Sequence, residues 1–401
     1  ARENAKVSYA IIDQMDNVDF RWDHIDEHFL TQWRPEGHDL ELMHDYQVTF
    51  VNQVIKHKRG VIQAPTAAGK TAIMIGILKA LPQNCPTLIL ANKKSLVKQN
   101  YDEMQMWGFE NVGRLYEKYK EPNIFTCATV QSLHKMEPVL GKIRALVVDE
   151  IHDMMSKVPK KFYNMLKSCS VRVAVSATPF KFGGTDKSQK YSVKGYFGPI
   201  LAKKELTTKK LQDRKILSDA ECFFFPIDTP KIPYEIYLDA VTLGIAENWH
   251  FHQVVKRLCE KKLRGRTLIV VERLAHGDIL QEIIPGALWV RGEDTLETRE
   301  EIISQLKYAK EDTIAIATQG IFNTGINVKV HNLVNAAGGQ AEHQIIQRLG
   351  RGLRKASDKE KLNYYDFIFR INDYLEEHSM KRIRILREEG HTVHVFDEID
   401  F

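Results

Sequence analysis

The 401-residue sequence predicts an α/β chain of two tandem units, each a parallel sheet flanked by helices. Three observations carry this. Short runs rich in Val, Ile and Leu alternate with helix-like stretches, as expected of strands buried on both faces. The alternation runs through 60–63, 87–91, 124–127, 144–149 and 171–176, then restarts at 266–272, 286–292, 312–318 and 331–337. The chain is also too long for one ordinary core. The boundaries expected are an N-terminal extension over 1–35, compatible with the remnant of an accessory domain, a first unit over 36–200 and a second over 201–401 with a helical tail. The stretch 180–233 gives no clear period.

Composition narrows the class. With 43% hydrophobic and 27% charged residues, the chain reads as an ordinary globular protein. No apolar run is long enough for a bilayer span, and no secretory pattern is visible. The net charge of +5 permits a polyanionic partner without identifying one. The five cysteines are scattered with no Cys-x-x-Cys pair, which points to core thiols in a reducing compartment and to no zinc site. His250 and His252 in NWHFHQ lack nearby carboxylates or thiols, so no metal is expected there.

Chemistry is concentrated in two stretches. APTAAGKT (64–71) follows an apolar strand and opens a helix. A phosphate cradle needs backbone amides, a helix N-terminus, a lysine for the β/γ-phosphates and a hydroxyl for Mg²⁺. Gly69, Lys70 and Thr71 supply its end, with Thr66 and Ala68 lining the turn; Ala64 and Ala67 stand where glycines are frequent. IRALVVDEIHD (143–153) brings a strand into Asp149 and Glu150. Strand ends of open α/β sheets hold ligand-binding residues, so Asp149 is read as a Mg²⁺ ligand through water and Glu150 as the group that orients or deprotonates an attacking water. Taken alone, the first stretch is also compatible with an ordinary turn and the second with a solvated acidic strand end.

Gly69-Lys70-Thr71, Asp149-Glu150-Ile151-His152, Ser176-Ala177-Thr178 and QRLGRGLR (347–354) together resemble, in order and spacing over about residues 40–370, the motifs of superfamily 2 helicases. The stretch SATPFKFGGTDKSQKYSVKGYFGPI (176–200) is most similar to the group holding XPB-type translocases, type III restriction motors and phage branch-migration helicases. The resemblance implies two RecA-like P-loop domains with ATP and Mg²⁺ in the cleft between them, Thr71 and Asp149 being the metal positions. It places Gln47 at the adenine with Tyr46 stacked nearby, and Ser176, Thr178 and His152 in coupling hydrolysis to movement. Arg351 and Arg354 match the arginine fingers, Gln347 the residue positioning water, and Arg348 a partner of the acidic box. Gly325 would approach ATP and Asn327, where many members carry Asp, the ribose. Lys94, Thr129, Gln131, Thr318 and Gln319 match nucleic-acid contacts.

The implied function is an ATP-dependent DNA helicase or translocase, 3′ to 5′, acting as a monomeric motor on single strands, forks and branched junctions in recombination, repair or replication. No membrane partner is implied, and the phage likeness implies a bacterial or phage-infected cytoplasm. Two other readings stay open: a DExH-type RNA helicase, since the residues do not reveal 2′-OH contacts, and a translocating motor subunit of a restriction or repair complex. Three basic stretches remain. KRLCEKKLRGR (256–266) reads as a solvated helix face before a strand. KRIRILR (381–387) reads as a C-terminal helix touching DNA or packing on the second unit. KFGGTDKSQK (181–190) reads as a loop reaching a duplex junction.

Overall fold

The structure, a computed structural model, describes residues 18–38, 40, 42–177, 179, 187–201, 206–231, 236–325, 328–339, 349–350, 352–353 and 361–401. The chain divides into two compact units, Ala1–Leu206 and Thr207–Phe401.

The first unit holds β1 (Arg59–Gln63), β2 (Thr87–Ala91), β3 (Val112–Tyr116), β4 (Tyr119–Glu121), β5 (Phe125–Thr129), β6 (Ala145–Asp149), β7 (Val171–Ser176) and β8 (Ile200–Leu201). They form one sheet in the order β4-β3-β5-β2-β6-β7-β1-β8. Every pairing is parallel except the short hairpin of β3 with β4. All residues of β2, β5 and β7 are buried, so these strands carry apolar side chains on both faces, and the helices that return the chain cover them. The described part of the N-terminal extension is tied to this unit. Arg21 N–H donates to the Ala80 carbonyl (2.9 Å), Ile25 N–H to Asn52 Oδ1 (2.7 Å) and Met43 N–H to the Glu27 carbonyl (3.0 Å).

The second unit contains β9 (Asp219–Ile227), β10 (Arg266–Val271), β11 (Leu288–Val290), β12 (Thr313–Thr318), β13 (Asn332–Asn335), β14 (Lys361–Phe369) and β15 (Thr392–Val395). Their order is β11-β12-β10-β13-β14-β9-β15, and every pairing is parallel. The run 381–387 lies in the helix Asp373–Glu388, which packs on this unit: Arg382, Ile383, Ile385 and Leu386 are buried. Arg382 is inside rather than on a basic outer face, 1% exposed and forked onto the fully buried Asp366 of β14, with Nε–Oδ2 and Nη2–Oδ1 both 2.9 Å. The same carboxylate accepts from Tyr364 Oη (2.8 Å), Asn335 Nδ2 (2.9 Å) and the Phe367 amide (2.7 Å). Arg382 Nη1 also donates to the Gly339 carbonyl at 2.8 Å.

His252, on the helix Trp249–Lys261, stacks at 4.9 Å on His276 of the helix Leu274–Ile283. Both are buried, and neither ring nitrogen of His276 has a hydrogen-bond partner among the described residues. Burial, and then the neighbouring His252, lower the His276 pKa to about 3. A histidine kept neutral in the fold binds its proton mainly after unfolding, so its stabilisation is complete above pH ~6.5 and drains away as pH falls toward 3. At pH ~5 the expected loss is about 2 kcal/mol from His276 alone. His391, lowered to about 4 by burial and by Lys209, acts in the same direction. Urea unfolding between pH 7 and 5 checks this, with His276→Phe expected to flatten the dependence; a wild-type midpoint that does not move with pH contradicts it.

All five cysteines are free and buried. Burial raises their thiol pKa values, that of Cys169 to about 11 and that of Cys259 to about 12. Among the described residues no helix is long and apolar enough to cross a membrane.

Candidate nucleotide site

Parallel pairing brings the carboxyl ends of β1, β6 and β7 side by side, because Gln63 aligns with Ser176 and Asp149 with Val175. Leaving β1, the chain makes a turn fixed by Ala64 N–H to the Ser176 carbonyl (3.2 Å) and Ala68 N–H to the Pro65 carbonyl (3.1 Å). Ala67 and Gly69 take left-handed conformations, with φ of 66° and 74°. For an alanine this costs about 1 kcal/mol, which is why glycine is frequent at that place in such loops. Gly69 has a second constraint: a Cβ there would come within 2.4 Å of Gln47 Nε2.

The helix Lys70–Ala80 starts at this turn, with its first intrahelical bond from Ile73 N–H to the Gly69 carbonyl. The amides of Lys70, Thr71 and Ala72 therefore precede the hydrogen-bonded ladder, at the helix end that favours anions. Thr66 Oγ1 is buried with no hydrogen-bond partner among the described residues. An orphaned hydroxyl, two left-handed residues and a helix mouth carrying a lysine fit a phosphate chain.

Opposite lies the acidic strand end. Asp149 ends β6 partly buried, and Glu150 follows with φ 54°, a left-handed conformation that is strained for a side-chain-bearing residue. Lys70 Nζ is 2.6 Å from Glu150 Oε1, and these two side chains are 16% and 19% exposed. Ser176 Oγ donates to Glu150 Oε2 at 2.9 Å. His152 Nδ1 lies 3.1 Å from Ser176 Oγ and 3.3 Å from Glu150 Oε2. Burial pushes the Glu150 carboxyl upward, but the Lys70 ammonium and then His152 outweigh it, holding the group well below the usual carboxylate range.

The network runs further than the motifs suggest. His152 Nε2 is 3.6 Å from Asp153 Oδ2, which accepts from Asn92 Nδ2 at 2.7 Å. Asn92 directly follows β2, and its place at a strand carboxyl end was the available signal.

Tyr46 and Gln47 brace the turn from the helix Asp45–His57. Tyr46 Oη donates to the Ala68 carbonyl (3.0 Å), as does Gln47 Nε2 (3.1 Å), while Gln47 Oε1 accepts the His44 amide (2.9 Å). Gln47 is 2% exposed and has both amide ends engaged, and the Tyr46 ring is stacked on His44 at 5.4 Å. Lys94, at the start of the helix Lys94–Met106, pairs with Glu117. Thr129 is buried with Oγ1 3.0 Å from Ser132 Oγ, and Gln131 is exposed. In the second unit Thr318 ends β12 and Gln319 opens the helix Gln319–Gly325. Thr178, Asn327, Gln347, Arg348, Arg351 and Arg354 lie outside the described residues, as does 181–186; 187–190 begin the helix Lys187–Phe197.

Residues 41–181 match the family "Type III restriction enzyme, res subunit". With the ordered motifs and the two parallel-sheet units, the chain is similar to superfamily 2 helicases, the class of the relatives that follow. It is 24% identical over 355 residues to the ATP-dependent DNA helicase uvsW of Enterobacteria phage T4, covering 81% of this chain and 68% of that protein. It is 26% identical over 368 residues to the DNA 3′-5′ translocase XPB2 of Sulfurisphaera tokodaii, covering 80% of each. The solved DUF1998 helicase MrfA shares the fold at a TM-score of 0.65 and 14% identity, over 95% of this chain and 53% of that one.

Proposed function

We propose that the chain is an ATP-driven DNA helicase or translocase that moves 3′ to 5′ on a single strand and works on forked or branched DNA as a monomer, inside the cell. The observation that carries this is the Lys70–Glu150–Ser176 network facing the phosphate-type turn. The names of the two curated relatives support DNA as the polymer and the direction of travel.

Lys70 is the ammonium for the β/γ-phosphates, and Thr66, Ala68, Gly69 and Thr71 line the cradle. Thr71 and Asp149 would hold Mg²⁺, which supplies charge neutralisation on the phosphate oxygens. Glu150 orients or deprotonates the attacking water. Lys70 cannot serve Glu150 and the phosphates equally, so substrate draws the ammonium away and Glu150, losing its counter-charge, becomes a stronger base. Ser176 and His152 keep the carboxylate aimed meanwhile, and their place on β7 and after β6 lets them transmit its state. Arg351, Arg354 and Gln347 act on the γ-phosphate and the water by resemblance alone.

Glu150→Gln is expected to lower ATP turnover by about 10²–10⁴ while ATP binding persists. ATPase rates with single-stranded DNA, forked DNA and RNA side by side, with unwinding of forks and four-way junctions, test the whole reading. Stimulation by RNA alone would replace it with an RNA helicase, and ATP-driven travel without strand separation with a translocase subunit.

A further inference from the structure

The second unit has a polar cavity of about 430 Å³ at the end of the sheet opposite Thr318 and Gln319. It is framed where the chain enters β10, β12 and β13, three adjacent strands. β12 has six residues, so the cavity is roughly 20 Å from the carboxyl edge. Its walls include Arg266, Lys307, Tyr308, Lys310 and His331, with Glu311 as the carboxylate among the lining residues.

The wall is built, not incidental. Gly265 has φ 76°, and a Cβ there would meet His331 Nδ1 at 2.6 Å. That close approach lets the Arg266 amide donate to His331 Nδ1 at 3.0 Å. Arg266 is 9% exposed, and its Nε donates to the Lys329 carbonyl at 2.9 Å, which fixes the guanidinium. Tyr308 is 69% exposed, with Lys307 Nζ 5.0 Å from its ring centroid. No ion pair among the described residues holds Lys307 or Lys310. Outside the cavity Lys261, Lys262 and Arg264 are exposed, and Arg264 is 3.9 Å from Asp312. KRLCEKKLRGR is thus more than a solvated face: its last residues form one wall of a cationic recess.

A fixed guanidinium, the Lys307 ammonium over the Tyr308 ring, the Lys310 ammonium and the exposed remainder of that ring suit a phosphate beside a flat base. We propose that this recess binds a nucleotide unit of a nucleic-acid strand, as a second grip on the polymer separate from the carboxyl edge. The exposure of Tyr308 favours a strand over a free nucleotide, which needs a site enclosing most of its surface. The basic residues beyond the cavity extend the track for the backbone. The inference rests on the reading that the chain engages nucleic acid.

The test uses the full chain and a fluorescein-labelled single strand of about 20 nucleotides, with affinity measured by anisotropy between ~50 and ~200 mM salt. Lys307→Ala/Lys310→Ala is expected to shrink the slope of log affinity against log salt by about 1.4, the loss of two phosphate contacts. Tyr308→Ala is expected to weaken binding about tenfold at every salt concentration with the slope kept. These side chains are exposed, and unchanged thermal unfolding confirms intact variants. Wild-type slopes and affinities in both variants overturn the proposal. So does loss of 5′-AMP binding, measured in a Lys70→Ala background, with strand binding unaltered, because the recess then serves a small molecule. Failure of the wild-type chain to bind any strand would instead remove the helicase reading itself.

Discussion

Lys70→Ala is expected to reduce DNA-stimulated ATP hydrolysis by at least about 10²–10³, with strand binding retained. The side chain is the cation at the mouth of the helix Lys70–Ala80, and it faces the carboxylate that would activate water. Its removal takes away the charge that stabilises the phosphates as hydrolysis proceeds. The fold should tolerate the change, since the pair is partly exposed and Glu150 keeps Ser176 and His152. Single-turnover ATPase assays with anisotropy on the same preparation decide it. A variant that still hydrolyses ATP at the wild-type rate would detach the chemistry from this turn.

The second large effect concerns stability. Asp366→Ala leaves the Arg382 guanidinium buried without its counter-ion, and the expected cost is about 3–5 kcal/mol. Asn335, Tyr364 and the Phe367 amide each lose a hydrogen bond to this carboxylate as well. Asp366→Leu with Arg382→Met should recover much of the loss, because a buried ion pair rarely outperforms a well-packed apolar pair. Urea unfolding of the three proteins measures this. Equal stability of wild type and Asp366→Ala would mean that water or another group compensates the arginine.

Much of the fold was legible, for a physical reason. Strands buried on both faces leave continuous apolar runs, so β2, β6, β7, β10 and β12 stand out as TLILA, ALVVD, VRVAVS, RTLIVV and TIAIAT. β9 and β14 were hidden because DAECFFFPI and KLNYYDFIF mix charges and aromatics without a period. β4 and β8 are too short to carry one, and β15, TVHV, is mostly exposed and offers no apolar run. At the site, Lys70 and Glu150 were legible because phosphate chemistry calls for an ammonium at a helix mouth and a carboxylate at a strand end, whereas Ser176 came from the family resemblance alone. The left-handed backbone of Ala67 was not, since alanine advertises no such conformation. Asp366 and Arg382 were invisible as a pair. They stand sixteen positions apart, one in a strand and one in a helix, and nothing in the sequence pattern links the two.

The sealed interior has a practical consequence. Because the thiols of Cys85, Cys127, Cys169, Cys222 and Cys259 are all shut away, the native chain offers a quiet background for maleimide dyes. One cysteine engineered on the outside of each unit would accept a donor and an acceptor fluorophore, and energy transfer between them would report whether ATP changes the distance from one unit to the other.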